Sequence, residues 1–291
     1  MKIIEFEKVA ATAEELCGRA ACDLPPDVLK RIAECAEKES SPHGKEFFRQ
    51  YLENAAIAAR ERLPLCQDTG FAVWFVEYGT ELAFDRGDIY EALTEGTRRG
   101  YKRFYLRKSI LKDPIFDRSN TFDNTPPVIH LKLVPGDRLK LVLAPKGGGS
   151  ENMSGLKMLR PADGREGVVK FIVDTVRNAG GNPCPPTVVG VGLGGTMEYC
   201  AYLAKKALLR PLGERNADPR YAAFEEELLS LLNATGVGPQ GLGGSMSCLD
   251  VHVEAHPAVF PPQRRFMIPC FPGTAAMSSG IPGGRLPCRT R

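Results

Sequence analysis

Apolar and polar positions in the first sixty residues alternate with the period of an α-helix. Segments such as "PDVLKRIAECAEKE" and "KEFFRQYLENAAIAARER" are rich in Ala, Glu, Leu, Lys and Arg and place apolar residues three and four positions apart. Pro25 and Pro26 suit an early helical turn, and "ESSPHGK" suits a junction between helices. The pattern predicts an N-terminal helical layer over about residues 1–62.

From Pro64 onwards the pattern changes to strands that alternate with further helices. "FAVWFVEYG" is typical of a strand, and "PGD" separates two alternating runs in the manner of a hairpin. A buried strand is predicted in "PPTVVGVGLGG". Helices are predicted in "DIYEALTEGTRRGYKRFYL", "GREGVVKFIVDTVRNAGG", "TMEYCAYLAKKALL" and "PRYAAFEEELLSLLNATG". The sequence therefore predicts an α+β fold, in which the helical layer is followed by a mixed β-sheet packed with helices.

The composition of the chain argues against nucleic acid and membranes as binding partners. The chain has 291 residues, of which 43% are hydrophobic, so it can bury a substantial core. Its 38 basic and 35 acidic side chains leave a net charge of only +3, which gives no overall field toward nucleic acid or a membrane surface. The N-terminus carries acids where a signal peptide needs an apolar segment, and no apolar run approaches the ~20 residues that span a bilayer. We expect a cytoplasmic protein with no membrane and no nucleic-acid partner.

The cysteines fall into two groups by their local context. Nine cysteines in a reducing compartment are expected to be buried, catalytic or metal-bound rather than paired in disulfides. Buried structural roles are expected for four that lie in helical patterns: Cys17, Cys22, Cys35 and Cys200. Cys66 in "LCQDTG" and Cys184 in "GGNPCPP" instead lie in loops, where functional sites concentrate. Any metal site that these two cysteines share must be assembled by the fold, because 118 residues separate them (184 minus 66).

Two glycine-rich segments suggest nucleotide or phosphate sites but lack the rest of each motif. "GVGLGG" matches G-x-G-x-x-G after a strand, yet a loop and another helix follow its first helix, not a strand ending in an acid. Its glycines are expected to allow close packing or anion contact at a helix N-terminus. "APKGGGSENMSGLKM" is not a P-loop, because leucine follows its last glycine. This segment is interpreted in two equally favoured ways. Its backbone N–H groups could bind a carboxylate, or it could be the flexible end of a hairpin.

A basic stretch and the histidines add little further chemistry. "RRGYKRFYLRK", residues 98–108, has the composition of a nucleic-acid patch, but a solvated basic face is favoured because the overall charge is small. The four histidines form no metal-ligand spacing, and the chain lacks the G-x-S-x-G elbow of serine hydrolases.

Five segments, in order, carry a resemblance to a known family. They are "CQDTG", "LRKSILKDPIFDRSNTFDNTPPVIH", "KGGGSEN", "GREGVVKFIVDTVRNAGGNPCPPTVVGVGLGG" and "GVGPQGLGGSMSCLDVHVEAHP". Together they resemble the α subunit of the class I fumarate hydratases and L-tartrate dehydratases, which are iron-sulfur hydro-lyases. The resemblance implies an α-type catalytic domain over residues 1–256. "KGGGSEN" resembles the fumarase-type loop, which favours conversion of malate to fumarate, with tartrate dehydration as the alternative.

The resemblance also implies a cofactor and a set of site residues. In the family, three cysteines hold a 4Fe-4S cluster whose fourth iron binds the substrate's hydroxyl and a carboxylate. Cys66 and Cys184 match the first two ligand positions, and Cys270 lies close to the third. Asp68 matches the residue assigned to proton transfer or its support. Residues that match substrate-binding positions are Gln67, Asp68, Arg107, Gly149, Asn152 and Lys157, and His256 matches a histidine near the substrate, with a hydrogen-bonded structural role as the alternative.

The last 35 residues, 257–291, depart from the family. They contain seven prolines and five arginines and no clear period. Our hypothesis is that the reading frame shifts near residue 258 and leaves a non-native tail. Cys270 would then match by coincidence, and Cys248 and Cys288 are poorer substitutes.

The family completes its catalytic set with a second, swivelling domain that is fused at the C-terminus or carried on a β subunit. The resemblance therefore implies an α subunit that acts on a small dicarboxylate only with a β subunit, in an α2β2 assembly. Two other classes of function stay open. One is a degenerate subunit that assembles without a cluster, and the other is a nucleic-acid binder through residues 98–108.

Overall fold

The computed structural model describes residues 1–258 and the backbone of a strand over residues 268–274. The helices are α1 (Phe6–Cys22), α2 (Pro26–Lys38), α3 (Pro42–Glu61), α4 (Ile89–Arg103), α5 (Gly148–Asn152), α6 (Gly164–Ala179), α7 (Met197–Ala207) and α8 (Pro219–Asn233). The strands are β1 (Lys2–Ile4), β2 (Phe71–Gly79), β3 (Leu82–Phe84), β4 (Val128–Val134), β5 (Leu139–Lys146), β6 (Lys157–Leu159), β7 (Thr187–Leu193), β8 (Cys248–Ala255) and β9 (Ile268–Thr274). The predicted α+β class is confirmed.

The chain divides into two compact units, and each is built from two separate stretches of sequence. The first unit contains Met1–Pro25 and Asn54–Gly147. The second contains Pro26–Glu53 and the described residues from Gly148 onwards. The predicted helical layer corresponds to α1, α2 and α3, of which α1 belongs to the first unit and α2 to the second.

The first unit is built on a three-stranded sheet with the order β4-β2-β5. β2 is parallel to β4 and antiparallel to β5, and its residues 72–76 are buried, as its apolar sequence requires. The loop from β4 to β5 passes over the end of β2, where the N–H of Gly79 donates to Arg138 O (2.9 Å). The predicted hairpin is therefore wrong, because the more apolar β2 occupies the position between its two arms.

Helices α1 and α4 cover this sheet and approach each other closely. A Cβ added to Gly96 would lie 2.4 Å from Ala13 Cβ, so only glycine permits this contact. Along the exposed side of α4, the arginines of the basic stretch pair with acids: Arg98 with Glu95 and Asp123, Arg99 with Glu7 and Glu95, and Arg103 with Glu14 and Glu15. These pairs favour a solvated basic face over a nucleic-acid patch.

The second unit contains a four-stranded sheet with the order β6-β9-β7-β8. β7 and β8 are parallel and are joined through α7 and α8, while β9 runs antiparallel to β6 and β7. Cβ atoms added to Gly190 and Gly192 would lie 2.2 Å from Ala204 O and 2.1 Å from Cys200 O, both on α7. The glycines of "GVGLGG" therefore allow close packing of α7 on β7, which was one of the two roles expected of them.

A buried carboxylate fastens α8 to β8 within the second unit. Glu225 is fully buried and accepts hydrogen bonds from Arg210 Nη1 (2.5 Å), Asn216 N (2.9 Å) and Val253 N (2.7 Å). An ionised group can remain in such a place only because donors surround it. The loop between α7 and α8, where Arg210 and Asn216 lie, is thereby tied to the sheet.

Glu225→Gln should lower the free energy of unfolding by about 3 kcal/mol, because it removes the carboxylate that accepts from Arg210 and from two backbone N–H groups and leaves Arg210 with Glu254 as its remaining counterion. Urea unfolding followed by circular dichroism measures this change. Glu227→Gln, on the same helix, is the matched control: Glu227 pairs with Arg165 at the surface, and its loss should cost less than about 1 kcal/mol. Equal losses in the two variants would contradict this account of Glu225.

Candidate functional site

The turn over residues 66–70 connects α3 to β2 and wraps around the sulfur of Cys66. The half-buried Cys66 thiol donates to Gln67 Oε1 (3.2 Å) and accepts from the Asp68 N–H (3.3 Å). The Asn54 side chain holds the start of the turn by donating to Leu65 O (2.9 Å). The turn thus presents a backbone N–H to the sulfur of Cys66, and cysteine sulfur is a common metal ligand.

The end of the same turn is anchored from two sides. Tyr101 Oη lies 3.1 Å from Thr69 O and 2.9 Å from Gly70 O, and Asn124 Nδ2 donates to Gly70 O (2.9 Å). Gly70 has φ 61°, and a Cβ there would lie 2.1 Å from Lys146 O. Gly70 is therefore required both by its backbone conformation and by the close approach of the end of β5.

Arg107 lies beside this turn in the first unit. The Thr69 hydroxyl donates to Arg107 O (3.3 Å), and Asn124, which binds Gly70, also accepts from Ser109 N (2.8 Å). The Arg107 side chain itself is exposed, as is that of Gln67. The fold thus brings Arg107 next to the segment that carries Cys66 and Asp68, although about forty residues separate them along the chain.

The Asp68 carboxylate is half-buried and lies against the α-carbon of Gly147. A Cβ on Gly147 would lie only 2.9 Å from Asp68 Oδ2. Gly147 is the first glycine of the "GGG" segment and the last residue of the first unit. The first unit therefore places Cys66, Gln67, Asp68 and Arg107 around one turn.

In the second unit, α5 begins within these glycines, at Gly148, and lies next to the turn that carries Cys184. A Cβ on Gly149 would lie 2.9 Å from Asn182 O, and Asn182 Nδ2 lies 3.5 Å from Met153 Sδ. Asn152 ends α5 and is exposed. The segment is thus helical rather than a flexible hairpin end, and it places Gly149 beside the Cys184 turn.

Cys184 itself is half-buried in an unusual backbone conformation. Its N–H donates to Gly181 O (2.9 Å), and its φ is 53°, in the left-handed region that favours glycine. Tyr51, on α3, lies nearby, and burial followed by the proximity of Cys184 raises the pKa of the phenol to about 12, although a hydrogen bond from Gln240 opposes the rise. Sequence reasoning identified Cys184 but missed Tyr51 and Gln240.

Lys157 and His256 occupy other places in the second unit. Lys157 begins β6, and its ammonium lies 5.8 Å from the centre of the Phe171 ring. His256 directly follows β8 and is exposed, with Nδ1 3.0 Å from Pro257 O and its ring edge-on to Tyr199. Because β7 and β8 are parallel, His256 lies at their carboxyl ends, where α/β sheets commonly bind ligands.

Comparison with known proteins identifies the family. A family model described as fumarate hydratase (Fumerase) matches residues 10–261, which is most of the chain. The chain belongs to the fumarate hydratase family. The resemblance inferred from its motifs is confirmed.

Two relatives of this fumarate hydratase family member are named as α subunits of L(+)-tartrate dehydratase. The chain is 41% identical over 253 residues to "Putative L(+)-tartrate dehydratase subunit alpha" of Methanocaldococcus jannaschii, covering 85% of this chain and 88% of the relative. It is 35% identical over 242 residues to L(+)-tartrate dehydratase subunit alpha of Escherichia coli (strain UTI89), covering 81% and 79%. The chain is thus a member of a hydro-lyase family and a homologue of tartrate dehydratase α subunits.

Among the helices that the structure describes, none combines the length and apolarity needed to cross a bilayer.

The cysteines of this family member separate by burial into the two groups expected. In the described part of the chain, Cys17, Cys22, Cys35, Cys200 and Cys248 are buried, and Cys66 and Cys184 are half-buried. Burial raises the pKa of Cys17 and Cys248 far above the ordinary range for a thiol, which makes both poor metal ligands. Cys66 and Cys184, each in a turn, therefore fit a thiolate-bound metal by donor type.

The third expected ligand and the tail lie mostly outside the described residues. Within the described residues, no group of three or more His, Cys, Asp or Glu side chains is placed to hold a metal. The backbone of Cys270 lies in β9, opposite Lys157 on one side and Leu193 on the other. The Cys270 side chain, Cys288 and the hypothesis of a shifted reading frame fall outside the described residues.

Proposed function

We propose that this chain is the α subunit of a hydro-lyase that removes water from a 2-hydroxy dicarboxylic acid. Membership of the fumarate hydratase family supports the reaction class, and the names of the relatives support the subunit type. The observation that supports the proposal is the turn over residues 66–70, which holds the Cys66 thiol and the Asp68 carboxylate and contacts the backbone of Arg107. A hydro-lyase that uses a metal needs ligands for that metal, a group that exchanges a proton and a cation that binds the substrate carboxylate.

The proposed cofactor is a 4Fe-4S cluster held by Cys66, Cys184 and a third thiolate, for which Cys270 is the candidate if the tail is native. When bound, such a cluster supplies an open iron that acts as a Lewis acid on the hydroxyl and carboxylate of the substrate. The two described thiols suit this role because they are half-buried in turns. The N–H of Asp68 gives Cys66 a donor that a thiolate ligand needs.

The remaining residues bind the substrate and move a proton. Asp68 is proposed to exchange the proton on the carbon next to the hydroxyl-bearing carbon, since its half-buried carboxylate has a fixed place against Gly147. Arg107 binds a substrate carboxylate through its planar fork, with Gln67 beside it. Further contacts are proposed for Gly149, Asn152, Lys157 and His256.

Relatives named as α subunits support a β subunit as the partner, and we propose an α2β2 assembly.

The "KGGGSEN" segment favours malate as substrate, whereas the names of the relatives favour L(+)-tartrate. We propose L(+)-tartrate as the first substrate to test and malate as the second.

The test is iron, acid-labile sulfide and the visible spectrum of the chain after reconstitution without oxygen. The proposal expects about four irons per chain. The reconstituted chain is then mixed with the β subunit, and dehydration of L(+)-tartrate and malate is compared. A chain that binds no iron under these conditions is an assembly subunit without a cluster, and the proposed function is then wrong.

A further inference from the structure

Tyr51 lies against the turn that carries Cys184 and is tied to it by hydrogen bonds. Tyr51 Oη donates to Pro185 O (3.3 Å), and the side-chain amide of Gln240 donates to Tyr51 Oη. All of these residues belong to the second unit. A phenol in this position joins α3 to the residue directly after the proposed ligand.

Gln240 contacts the same carbonyl through its backbone. Its N–H donates to Pro185 O (2.7 Å), so this one oxygen accepts hydrogen bonds from two separate segments of the chain. A carbonyl that accepts from two converging donors is restricted in direction. Pro185 is therefore held in place from two sides.

The loops that carry Cys184 and Gln240 also pack backbone against backbone. A Cβ on Gly241 would lie 2.4 Å from the α-carbon of Gly181. Gln240 has φ 57°, a left-handed conformation like that of Cys184. Neither residue is glycine, so surrounding contacts must keep both in this conformation.

We propose that Tyr51 and Gln240 are positioning residues that keep Cys184 in its left-handed conformation and thereby fix where its sulfur is offered to a metal. The proposal deepens the proposed function, because it rests on Cys184 as a ligand. Tyr51 acts through Pro185, and the side chain of Gln240 acts by orienting the Tyr51 hydroxyl toward that carbonyl. Neither residue contributes a metal ligand. Loss of either side chain frees the turn to move toward ordinary backbone conformations.

The first test measures thiol reactivity in the cluster-free chain. The protein is alkylated without oxygen, and peptide mass spectrometry gives the rate at Cys184 divided by the rate at Cys66, which lies in the other unit and is the internal reference. Tyr51→Phe removes the hydroxyl only. Gln240→Gly removes the side chain but keeps the backbone donor and tolerates a positive φ.

Each variant should raise this ratio about fivefold, which corresponds to about 1 kcal/mol, the net value of one hydrogen bond. The rise is expected because a freed turn exposes the half-buried thiol. Tyr221→Phe is the matched control, since Tyr221 packs on the hydrophobic core of the same unit, and its ratio should not change. A rise below about threefold in either test variant overturns the proposal.

The second test uses the reconstituted protein and measures the rate of iron release to a chelator. Tyr51→Phe should release iron about fivefold faster than the wild-type chain, with a thermal unfolding midpoint lowered by no more than about 4 °C. Equal rates overturn the positioning role. If the wild-type chain takes up no iron, the proposed function is wrong, and the alkylation ratio still decides whether Tyr51 positions Cys184.

Discussion

Serine in place of Cys66 or of Cys184 should leave the reconstituted chain with almost no iron and no dehydratase activity. A serine hydroxyl is a poor substitute, because a thiolate forms readily near neutral pH and an alkoxide does not. Both cysteines lie half-buried in turns, so the loss of one sulfur atom leaves the surrounding hydrogen bonds largely in place. The measurement is iron and sulfide per chain, with circular dichroism to show that the fold is kept.

A buried cysteine provides the control for these two variants. Cys22→Ala removes a thiol that is fully buried at the end of α1, and it should bind as much iron as the wild-type chain. If Cys66→Ser or Cys184→Ser keeps its full iron content, the replaced cysteine is not a ligand. Cys270→Ser, measured in the same way, tests the third assignment.

Asp68→Asn should lower kcat by about 10²- to 10⁴-fold with the β subunit present, which is the usual range for losing a general acid or base. Asparagine has nearly the same shape and keeps the contact with Gly147, but it cannot exchange a proton near neutral pH. The iron content should not change, because Asp68 is not proposed as a ligand. Steady-state kinetics with L(+)-tartrate and malate measures the effect.

Asp137→Asn is the control for the Asp68 variant. Asp137 forms an exposed ion pair with Lys2 at the surface of the same unit, so its replacement should leave kcat within about twofold. An Asp68→Asn variant with normal kcat and raised KM would assign Asp68 to substrate binding and not to proton transfer.

Local patterns predicted the longer helices, the strands β2 and β7 and the two loop cysteines. They succeeded because helical periodicity and the position of Cys66 and Cys184 in turns are properties of short segments. Strand order is not such a property. β4 and β5 alternate apolar and polar residues, as the arms of a hairpin do. They do not pair with each other because the more apolar β2 lies between them and pairs with both.

Two other features escaped because they depend on contacts between distant residues. β8 is a core strand, but it carries Asp250 and His252, which are both fully buried. These polar residues interrupt the apolar pattern from which a core strand is predicted. Asp250 accepts hydrogen bonds from Arg215 Nη2 (2.6 Å) and Gly213 N (2.7 Å), which lie more than thirty residues earlier in the chain. His252 Nδ1 lies 3.1 Å from Ala207 O, so each buried polar side chain depends on a partner that is distant in sequence. Gln240 and Tyr51 are 189 residues apart, and no local pattern could place them together.

The order of the two units along the chain has a consequence for biosynthesis. α2 belongs to the second unit but is synthesised before most of the first, and Arg31 on α2 donates to Leu249 O, 218 residues later. At about 5–20 residues per second, the ribosome needs about ten to forty seconds to deliver that partner. During this time α2 lacks the β8 strand on which it packs, and we expect a chaperone to bind that side of α2 on the nascent chain.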